Sequence, residues 1–181
     1  MKESYNHKDL IDGCLRNDRK CQQKLYDTFA PKMLAVCMRY ATTRHEAEDI
    51  MIEGFMQVFT HLDKFLGESS LEFWIRQIMV NKAISNFRSN HKRYGYDIID
   101  EDVEIADDSS NIEAGLTGAE ILQIMQKMPE MQKLVFNLRI FEEYSFKEIG
   151  EEINIPENTA RVYFLRAKKW ITEQITEKSD K

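Results

Sequence analysis

The most restrictive part of this sequence is the segment SFKEIGEEINIPENTARVYFLRAKKW, which runs from Ser145 to Trp170. Ser145 and Glu148 have the S-x-x-E spacing of a capping box, which predicts the start of a short helix. Asn154 follows where a tight turn needs a residue that tolerates the left-handed conformation, and Pro156 has its φ preset for the first position of a second helix. The spacing therefore predicts a helix-turn-helix.

Apolar residues in and before this segment predict how its helices pack. Ile155 would fill the angle between the two helices, and the other inward positions are Ile149, Ile153, Val162, Leu165 and Trp170. The preceding stretch predicts a helix that ends at Met128, a break at Pro129 and a second helix packed through Leu134, Val135, Leu138 and Phe141. Together these four helices would form a small domain over residues 117–178.

The second helix of the pair carries polar and cationic side chains, whereas the first is acidic. The side chains expected to be exposed on the second helix are Glu157, Asn158, Arg161, Tyr163, Phe164, Arg166 and Lys168. Such groups can read base edges or hold phosphates in a major groove, so we expect this helix to bind DNA. A helical hairpin that binds no DNA is the alternative that the spacing leaves open.

Composition favours an all-α protein. The 181 residues include only seven glycines and three prolines, and the β-branched runs and Gly-rich turn clusters of an all-β protein are missing. Hydrophobic residues make up 43 % of the chain, which is enough to form packed cores. At this length we expect two small helical domains.

The N-terminus and the cysteines limit the cellular setting. The first ten residues, MKESYNHKDL, lack the apolar core of a signal peptide, and the longest apolar run is only Met33 to Met38, so we expect a cytoplasmic protein without membrane insertion. Cys14, Cys21 and Cys37 are odd in number and form no CxxC pair, which argues against a disulfide framework or a zinc site. The sequence predicts no cofactor and no metal.

The charges are distributed unevenly along the chain. The formal net charge is −6, but the stretch from Tyr96 to Glu120 holds nine acidic residues and no Lys or Arg, so the remainder carries +3. This stretch has weak periodicity and few large apolar groups, which is typical of a linker. We therefore predict a flexible acidic linker over residues 96–116, between the C-terminal domain and an N-terminal domain over residues 1–95.

Helical spacing of apolar residues continues through the N-terminal domain. It is seen for Leu10, Cys14 and Leu15, and again for Leu25, Phe29, Met33, Leu34, Cys37 and Met38. A third helix is predicted from about His45 to about Leu62, with its core face at Ala47, Ile50, Met51, Val58 and Leu62. Its other sides would carry Glu48, Asp49, Ile52, Glu53 and Met56, where an apolar residue among carboxylates is unusual.

A fourth helical segment, from Ser70 to Arg93, is basic and aromatic. Its apolar positions are Phe73, Trp74, Ile78, Ala83, Ile84 and Phe87, with Trp74 expected in the core. Cations follow with no acid after Glu72, at Arg76, Lys82, Arg88, Lys92 and Arg93. This mixture suits a surface that neutralises phosphates and stacks bases, and equally a solvated basic face over core aromatics.

These pieces together resemble the extracytoplasmic-function sigma factors of the sigma-70 family. The resemblance is carried, in this order, by AEDIMIEGFMQVFTHLDKF, FLGESSLEFWIRQIMVNKAISNFRS and MPEMQKLVFNLRIFEEYSFKEIGEEINIPENTARVYFLRAKKW. It spans almost the whole chain. It implies two helical domains, of sigma-70 region 2 and region 4, that bind core RNA polymerase, recognise the −10 and −35 promoter elements and promote DNA melting.

The resemblance also implies roles for residues of the N-terminal domain. The helix with Glu48, Asp49, Ile52, Glu53 and Met56 is similar to the one that docks on the clamp coiled coil of the polymerase β′ subunit. Ile52 departs from the Gln usual there, so Asp49 and Glu53 are expected to carry the polar contacts. The loop from Phe65 to Ser70 and the following helix would capture a flipped base through Asn81 and hold the −10 backbone through Arg76, Lys82, Arg88 and Lys92.

In the C-terminal domain the resemblance implies contacts to the −35 element. The residues concerned are Glu157, Asn158, Thr159, Arg161, Phe164, Arg166 and Lys168. Further implied partners are the polymerase β flap and an anti-sigma factor, which in this family is often membrane-anchored. The acidic linker would thread through the RNA exit path, with a plain solubilising tether as the alternative.

Two other functions compete with this interpretation. A promoter-binding regulator could use the same helix-turn-helix without polymerase, but it would leave the N-terminal domain unexplained. A helical metal-dependent hydrolase could use His45, Glu48, Asp49 and Glu53. However, the histidines are scattered, and there is no HExxH pattern, phosphate-cradling Gly loop or nucleophile elbow. We therefore do not expect an enzyme.

Overall fold

The structure is a computed structural model that describes residues 7–91 and 118–179. Within these ranges every regular element is helical, as the all-α prediction requires. The chain divides into two compact units, Met1–Asn86 and Phe87–Lys181. Lys92, Arg93 and the predicted linker at 96–116 lie outside the described residues.

Residues 7–91 form four α-helices and one short 3₁₀ turn. They are α1 (His7–Leu15), α2 (Arg19–Tyr40), α3 (Arg44–His61), the turn Leu62–Lys64 and α4 (Leu71–His91). Polar side chains fix where two of these helices begin. The Asp18 carboxylate accepts a hydrogen bond from the Lys20 N–H at 2.8 Å at the start of α2, and the Thr43 hydroxyl accepts one from the Glu46 N–H at 3.2 Å at the start of α3.

The core of the first unit lies mainly between α2 and α3. The predicted core positions of α3 are confirmed, because each is at most 6 % exposed: Ala47, Ile50, Met51, Val58 and Leu62. Trp74 is partly buried against this core and its ring lies 5.5 Å from that of Phe65, so its predicted core position is also confirmed.

Phe73 is a correction to the predicted apolar face of α4, because its side chain is 48 % exposed. The buried face of α4 includes the predicted Ala83 and Ile84, and its other members are Leu71, Ile75, Met79 and Val80. Phe73 lies two positions from both Leu71 and Ile75, which is more than half a helical turn away from either. The abundance of apolar residues at the start of α4 hid which of them face the core.

Residues 118–179 form the four helices that the sequence predicts for a C-terminal domain. They are α5 (Gly118–Gln126), α6 (Glu130–Ile140), α7 (Phe146–Ile153) and α8 (Glu157–Ser179). Leu134, Val135 and Leu138 of α6 are buried as expected, and Phe141 is partly buried. A second cluster joins α5 and α6 to α8 through Ile124, Met125, Met128, Phe136, Ala167 and Ile171.

Candidate nucleic-acid and protein interfaces

Helix α7 begins with the capping box that the sequence predicts. The Ser145 hydroxyl accepts a hydrogen bond from the Glu148 N–H at 3.2 Å, and Glu148 Oε2 accepts one from the Ser145 N–H at 2.7 Å. Hydrogen bonds from the Ser145 hydroxyl and backbone hold the pKa of the Glu148 carboxyl below its ordinary value. The start of the helix-turn-helix is therefore fixed by local sequence.

The turn after α7 has the predicted left-handed residue. Asn154 has φ 58° and ψ 51°, and its N–H donates to the Gly150 carbonyl. The Ile155 N–H donates to the same carbonyl at 3.0 Å. Two successive backbone donors thus close the end of α7 and aim the chain into α8.

Gly150 is a structural requirement of this turn that the sequence analysis missed. A Cβ built on Gly150 would lie 2.6 Å from the Ile155 carbonyl oxygen, closer than real Cβ atoms approach. The neighbour is backbone, so it cannot rotate away as a long side chain could. The available signal was an isolated glycine inside a helical pattern, which often marks a close approach.

Helix α8 begins one residue later than predicted. Glu157 is its first residue, and the Pro156 carbonyl accepts the first hydrogen bond, from the Ala160 N–H, at 3.1 Å. Pro156 therefore lies just before the helix rather than at its first position. Ile155 is half-buried, as expected of a residue between two helices, while Ile153 and Ala160 are fully buried.

The exposed surface of α8 holds most of the predicted DNA contacts. Glu157, Asn158, Arg161 and Arg166 are exposed, and Thr159, Phe164 and Lys168 are half-buried. The Arg161 guanidinium donates to Glu157 Oε1 at 2.7 Å, one helical turn earlier. The helical repeat places Arg161 and Arg166 on opposite flanks of this surface.

Two aromatic residues of α8 do not have the predicted exposure. Tyr163 is buried, at 8 % exposure, because it lies on the same side of α8 as the fully buried Ala160 and Ala167. The half-buried Phe164 is engaged inside the domain, since its ring stacks on Phe136 at 5.9 Å and meets Phe146 edge-on at 5.5 Å. Because these contacts bury part of the Phe164 ring, less of its surface is available to DNA than the sequence predicts.

Phe136, Phe164 and Phe146 form a row of rings, and two arginines contact the last of them. The guanidinium carbon of Arg161 lies 4.9 Å from the centre of the Phe146 ring, and that of Arg139 lies 5.1 Å from it. Arg139 also donates to the Tyr144 carbonyl at 3.0 Å. We call Arg139, Phe146 and Arg161 the arginine–phenylalanine cluster. The sequence does not predict the role of Arg139, because the contact joins three helices.

Helix α3 presents a continuous mixed surface. Asp49, Ile52, Glu53 and Met56 are exposed at helical spacing, with Ile52 at 50 % and Met56 at 66 % exposure, and we call these four residues the α3 surface. Glu48, the fifth residue predicted here, is half-buried and pairs with Arg44 at 2.8 Å. The α3 surface thus combines two apolar side chains with two carboxylates.

The predicted −10 contacts on α4 differ in how far their side chains are exposed. Asn81 is exposed, Arg76 and Lys82 are half-buried, and Arg88 retains 41 % side-chain exposure near the end of the helix. Lys82 forms an ion pair with Glu53 of the α3 surface. The structure therefore joins two residues that the sequence analysis assigned to different partners.

The loop between the 3₁₀ turn and α4 borders an open cleft of about 650 Å³. Phe65, Leu66 and Ser70 line it from the loop, and α1 contributes Lys8 and Ile11. Leu66 is 78 % exposed at its rim. The contribution of α1 was not foreseen, because nothing in the spacing of its residues indicates which loop it meets.

Two further findings concern metals and membranes. Among the described residues, no three His, Cys, Asp or Glu side chains gather into a group that could hold a metal ion. Glu48 and Glu53, proposed as ligands in the hydrolase alternative, are instead paired with different cations, Arg44 and Lys82. Within residues 7–91 and 118–179, no helix has both the length and the apolar content needed to cross a bilayer.

Comparison with protein families gives two matches, one in each half of the chain. Residues 25–93 match the family described as Sigma-70 region 2, and residues 118–171 match the family described as Sigma-70, region 4. The first range contains the α3 surface and most of α4. The second contains the helix-turn-helix and the arginine–phenylalanine cluster.

Characterised proteins with similar sequences match almost end to end. The ECF RNA polymerase sigma-E factor of Haemophilus influenzae is 26 % identical over 186 residues, covering 97 % of this chain and 98 % of that protein. The ECF RNA polymerase sigma factor SigW of Bacillus subtilis is 25 % identical and covers 93 % and 96 %. Among solved structures, the sigma factor RpoE of Bartonella quintana, in complex with the anti-sigma factor NepR, has a TM-score of 0.48 at 15 % identity and covers 83 % of this chain and 94 % of that one.

Proposed function

Because the chain belongs to the sigma-70 family, as an RNA polymerase sigma factor of the extracytoplasmic-function type, we propose that it holds promoter DNA at two points while docked on core polymerase. In this proposal α8 reads the −35 element, and α4 with its preceding loop binds and opens the −10 element. The α3 surface binds the β′ clamp. Bond formation in RNA is left to the polymerase.

The observation that carries the proposal is the capped helix-turn-helix with a polar and cationic second helix. The close approach at Gly150 fixes α7 against α8, so that α7 can brace while α8 enters a major groove. Arg161 and Arg166 then reach opposite flanks of the groove, and Asn158 and Glu157 near the helix start can face base edges. Thr159, Phe164 and Lys168 are less exposed and would contribute at the margins.

For the −10 element, the cleft beside α1 supports a role in base capture. A flipped base needs a recess with apolar walls for its face and polar groups for its edge. Phe65 and Ile11 supply the first, and Ser70 and the loop backbone supply the second. Asn81, Arg76, Lys82, Arg88 and Lys92 would hold the strand on either side.

For the polymerase, the chemistry of the α3 surface favours a protein partner over a nucleic acid. Its carboxylates would repel phosphates, whereas Ile52 and Met56 present apolar area that a partner can bury. Asp49 and Glu53 would supply the polar contacts, with Glu48 contributing less because it is paired with Arg44. Ile52, which stands where the family usually has Gln, would make this contact more apolar than is usual.

Other partners follow from the same assignment. The C-terminal domain would contact the polymerase β flap, and the acidic linker would pass through the RNA exit path, where its charge resembles that of RNA. We also propose an anti-sigma protein, anchored to a membrane or not, that covers the α3 surface of the free factor. An exposed apolar pair of this kind favours a covering partner.

Transcription in a purified system tests the proposal as a whole. The chain is added to core RNA polymerase from its own organism, with promoter DNA selected from a random duplex library by the resulting complex. We expect a stable complex and specific run-off transcripts. DNA binding without polymerase binding would favour the regulator, and failure of both would refute the proposal.

Single substitutions separate the two surfaces. Replacing Arg161 or Arg166 by Ala should weaken promoter binding by about 10- to 150-fold, from about 1.5 to 3 kcal/mol for a hydrogen bond made by a charged group, and leave polymerase binding intact. Asp49→Ala combined with Met56→Ala should weaken polymerase binding, while Gln57→Ala, an exposed neighbour outside the α3 surface, should not. Loss of both activities in any one variant would indicate misfolding instead.

A further inference from the structure

The arginine–phenylalanine cluster links the surface of the second unit to its core. Phe136 of α6 stacks on Phe164 of α8, and Phe164 meets the edge of Phe146 of α7. The Phe146 ring is therefore held by packing against another ring. Arg139 and Arg161 approach this ring from two other helices.

Each arginine of the cluster has two anchors. Arg161 contacts the Phe146 ring and donates to Glu157, while Arg139 contacts the same ring and donates to the Tyr144 carbonyl. A ring contact consumes none of the five N–H donors of a guanidinium. The donors that Glu157 and the Tyr144 carbonyl do not use can therefore point outward while the carbon skeleton is held in place.

We propose, resting on the function proposed above, that Phe146 is a positioning residue that preorganises Arg161 and Arg139 to grip the phosphate backbone of the −35 DNA. Two unsupported arginines would lose rotamer freedom when they bind a phosphate, and this loss would weaken binding. Contact with one fixed ring removes part of that freedom in advance. Arg139 on α6 thereby becomes part of a DNA surface otherwise built by α8.

The geometry of the cluster suits neighbouring phosphates of one strand. Both guanidinium carbons lie within 5.1 Å of one ring centre, so they are at most about 10 Å apart. Phosphates of one strand rise about 3.4 Å per nucleotide along the helix axis. Two cations at this separation can therefore contact phosphates one or a few nucleotides apart, whereas bases are reached by residues deeper in the groove.

The test measures binding of the holoenzyme, assembled with core polymerase, to a promoter duplex selected by the wild-type holoenzyme. Phe146→Leu keeps an apolar side chain on α7 but removes the ring. We expect affinity to fall about five- to thirtyfold, because two arginine side chains that the ring no longer holds must be immobilised when DNA binds. Phe146→Tyr keeps the ring and should retain affinity within about twofold of wild type.

A double-mutant cycle separates positioning from a merely structural role. In the background Arg139→Ala with Arg161→Ala, Phe146→Leu should cause no further loss of affinity, because the groups it positions are gone. An equal loss in both backgrounds would overturn the proposal and assign Phe146 to packing alone. Arg139→Ala should lower the dependence of log affinity on log salt by about 0.9, and an unchanged slope would remove Arg139 from the DNA surface.

The outcomes also distinguish this inference from the function on which it rests. If the wild-type holoenzyme selects no promoter, the proposed function fails and the positioning role fails with it. If it selects a promoter that Phe146→Leu binds equally well, only the positioning role is refuted. Polymerase binding, measured in the same samples, should be unchanged in every variant of the cluster.

Discussion

Replacing Gly150 by alanine tests the close approach that sets α7 against α8. The added Cβ would lie 2.6 Å from the Ile155 carbonyl oxygen, so the backbone of the turn must move. Overpacking of this kind costs about 1 to 3 kcal/mol, whereas replacing a helical glycine by alanine recovers about 0.5 to 1 kcal/mol. We therefore expect the free energy of unfolding of the second unit to fall by about 1 kcal/mol, the difference between the midpoints of these two ranges.

Each unit has its own tryptophan, so fluorescence can report the unfolding of one unit at a time. The chain has two tryptophans, and Trp170 packs in the core of the second unit while Trp74 packs in that of the first. Urea unfolding is followed by Trp170 fluorescence in a Trp74→Phe background, with and without Gly150→Ala. A midpoint that stays constant or rises would show that the turn has room for a methyl group and would refute the steric argument.

A second helical glycine provides the matched control. A Cβ on Gly54 of α3 would overlap the sulfur of Met79, which belongs to a side chain rather than to backbone. Methionine has three rotatable side-chain bonds and a polarisable thioether, so it can give way. Gly54→Ala, followed by Trp74 in a Trp170→Phe background, should therefore destabilise its unit less than Gly150→Ala destabilises the other.

Three further predictions concern the turn after α7, the capping box at the start of α7, and Cys37. Asn154→Ala should lower stability by about 1 kcal/mol because φ is positive, whereas Asn154→Gly should not, as urea unfolding would reveal. The Glu148 carboxyl has a pKa held below its ordinary 4.5, so its contribution is complete above that pH and is lost as the pH falls through the lower value. The stability difference between wild type and Glu148→Gln should accordingly shrink below pH 4.5, and a difference that does not change with pH would contradict the cap. Burial raises the pKa of the Cys37 thiol to about 12, so thiol reagents at neutral pH should leave Cys37 unmodified until the protein unfolds, as mass spectrometry can establish.

The parts of the fold that sequence predicts well are those fixed by neighbours in the chain. The capping box of Ser145 and Glu148 and the left-handed Asn154 depend on contacts within a few residues, and both are confirmed. Phe73 and Tyr163 were assigned to the wrong environments for the opposite reason. Their helices carry apolar residues on more than one side, and only the position of neighbouring helices decides which side is buried.

The difference between contacts within a few residues and contacts between helices also explains which residues of the candidate sites the sequence does not predict. The exposure of Asp49, Ile52, Glu53 and Met56 follows from helical periodicity once the core face of α3 is known, so this surface could be predicted. Arg139 could not, because its partner ring is on another helix and nothing in the spacing between α6 and α7 specifies the contact. The role of Gly150 likewise depends on how closely a later turn approaches.

The Glu53–Lys82 ion pair changes how the two predicted surfaces of the first unit should be understood. Glu53 was assigned to polymerase and Lys82 to the −10 strand, but the structure pairs their charges across α3 and α4. A pair whose side chains are 54 % and 23 % exposed is partly screened, so its own stabilisation is small, up to about 1 kcal/mol. On the proposed function the pair would also affect binding, because a partner that takes the Glu53 carboxylate would leave the Lys82 ammonium available to a phosphate. We therefore expect Glu53→Ala to change both polymerase binding and −10 DNA binding, and Asp49→Ala to change polymerase binding alone, as measured with core polymerase and a −10 duplex. Equal effects of the two substitutions on −10 binding would contradict this coupling.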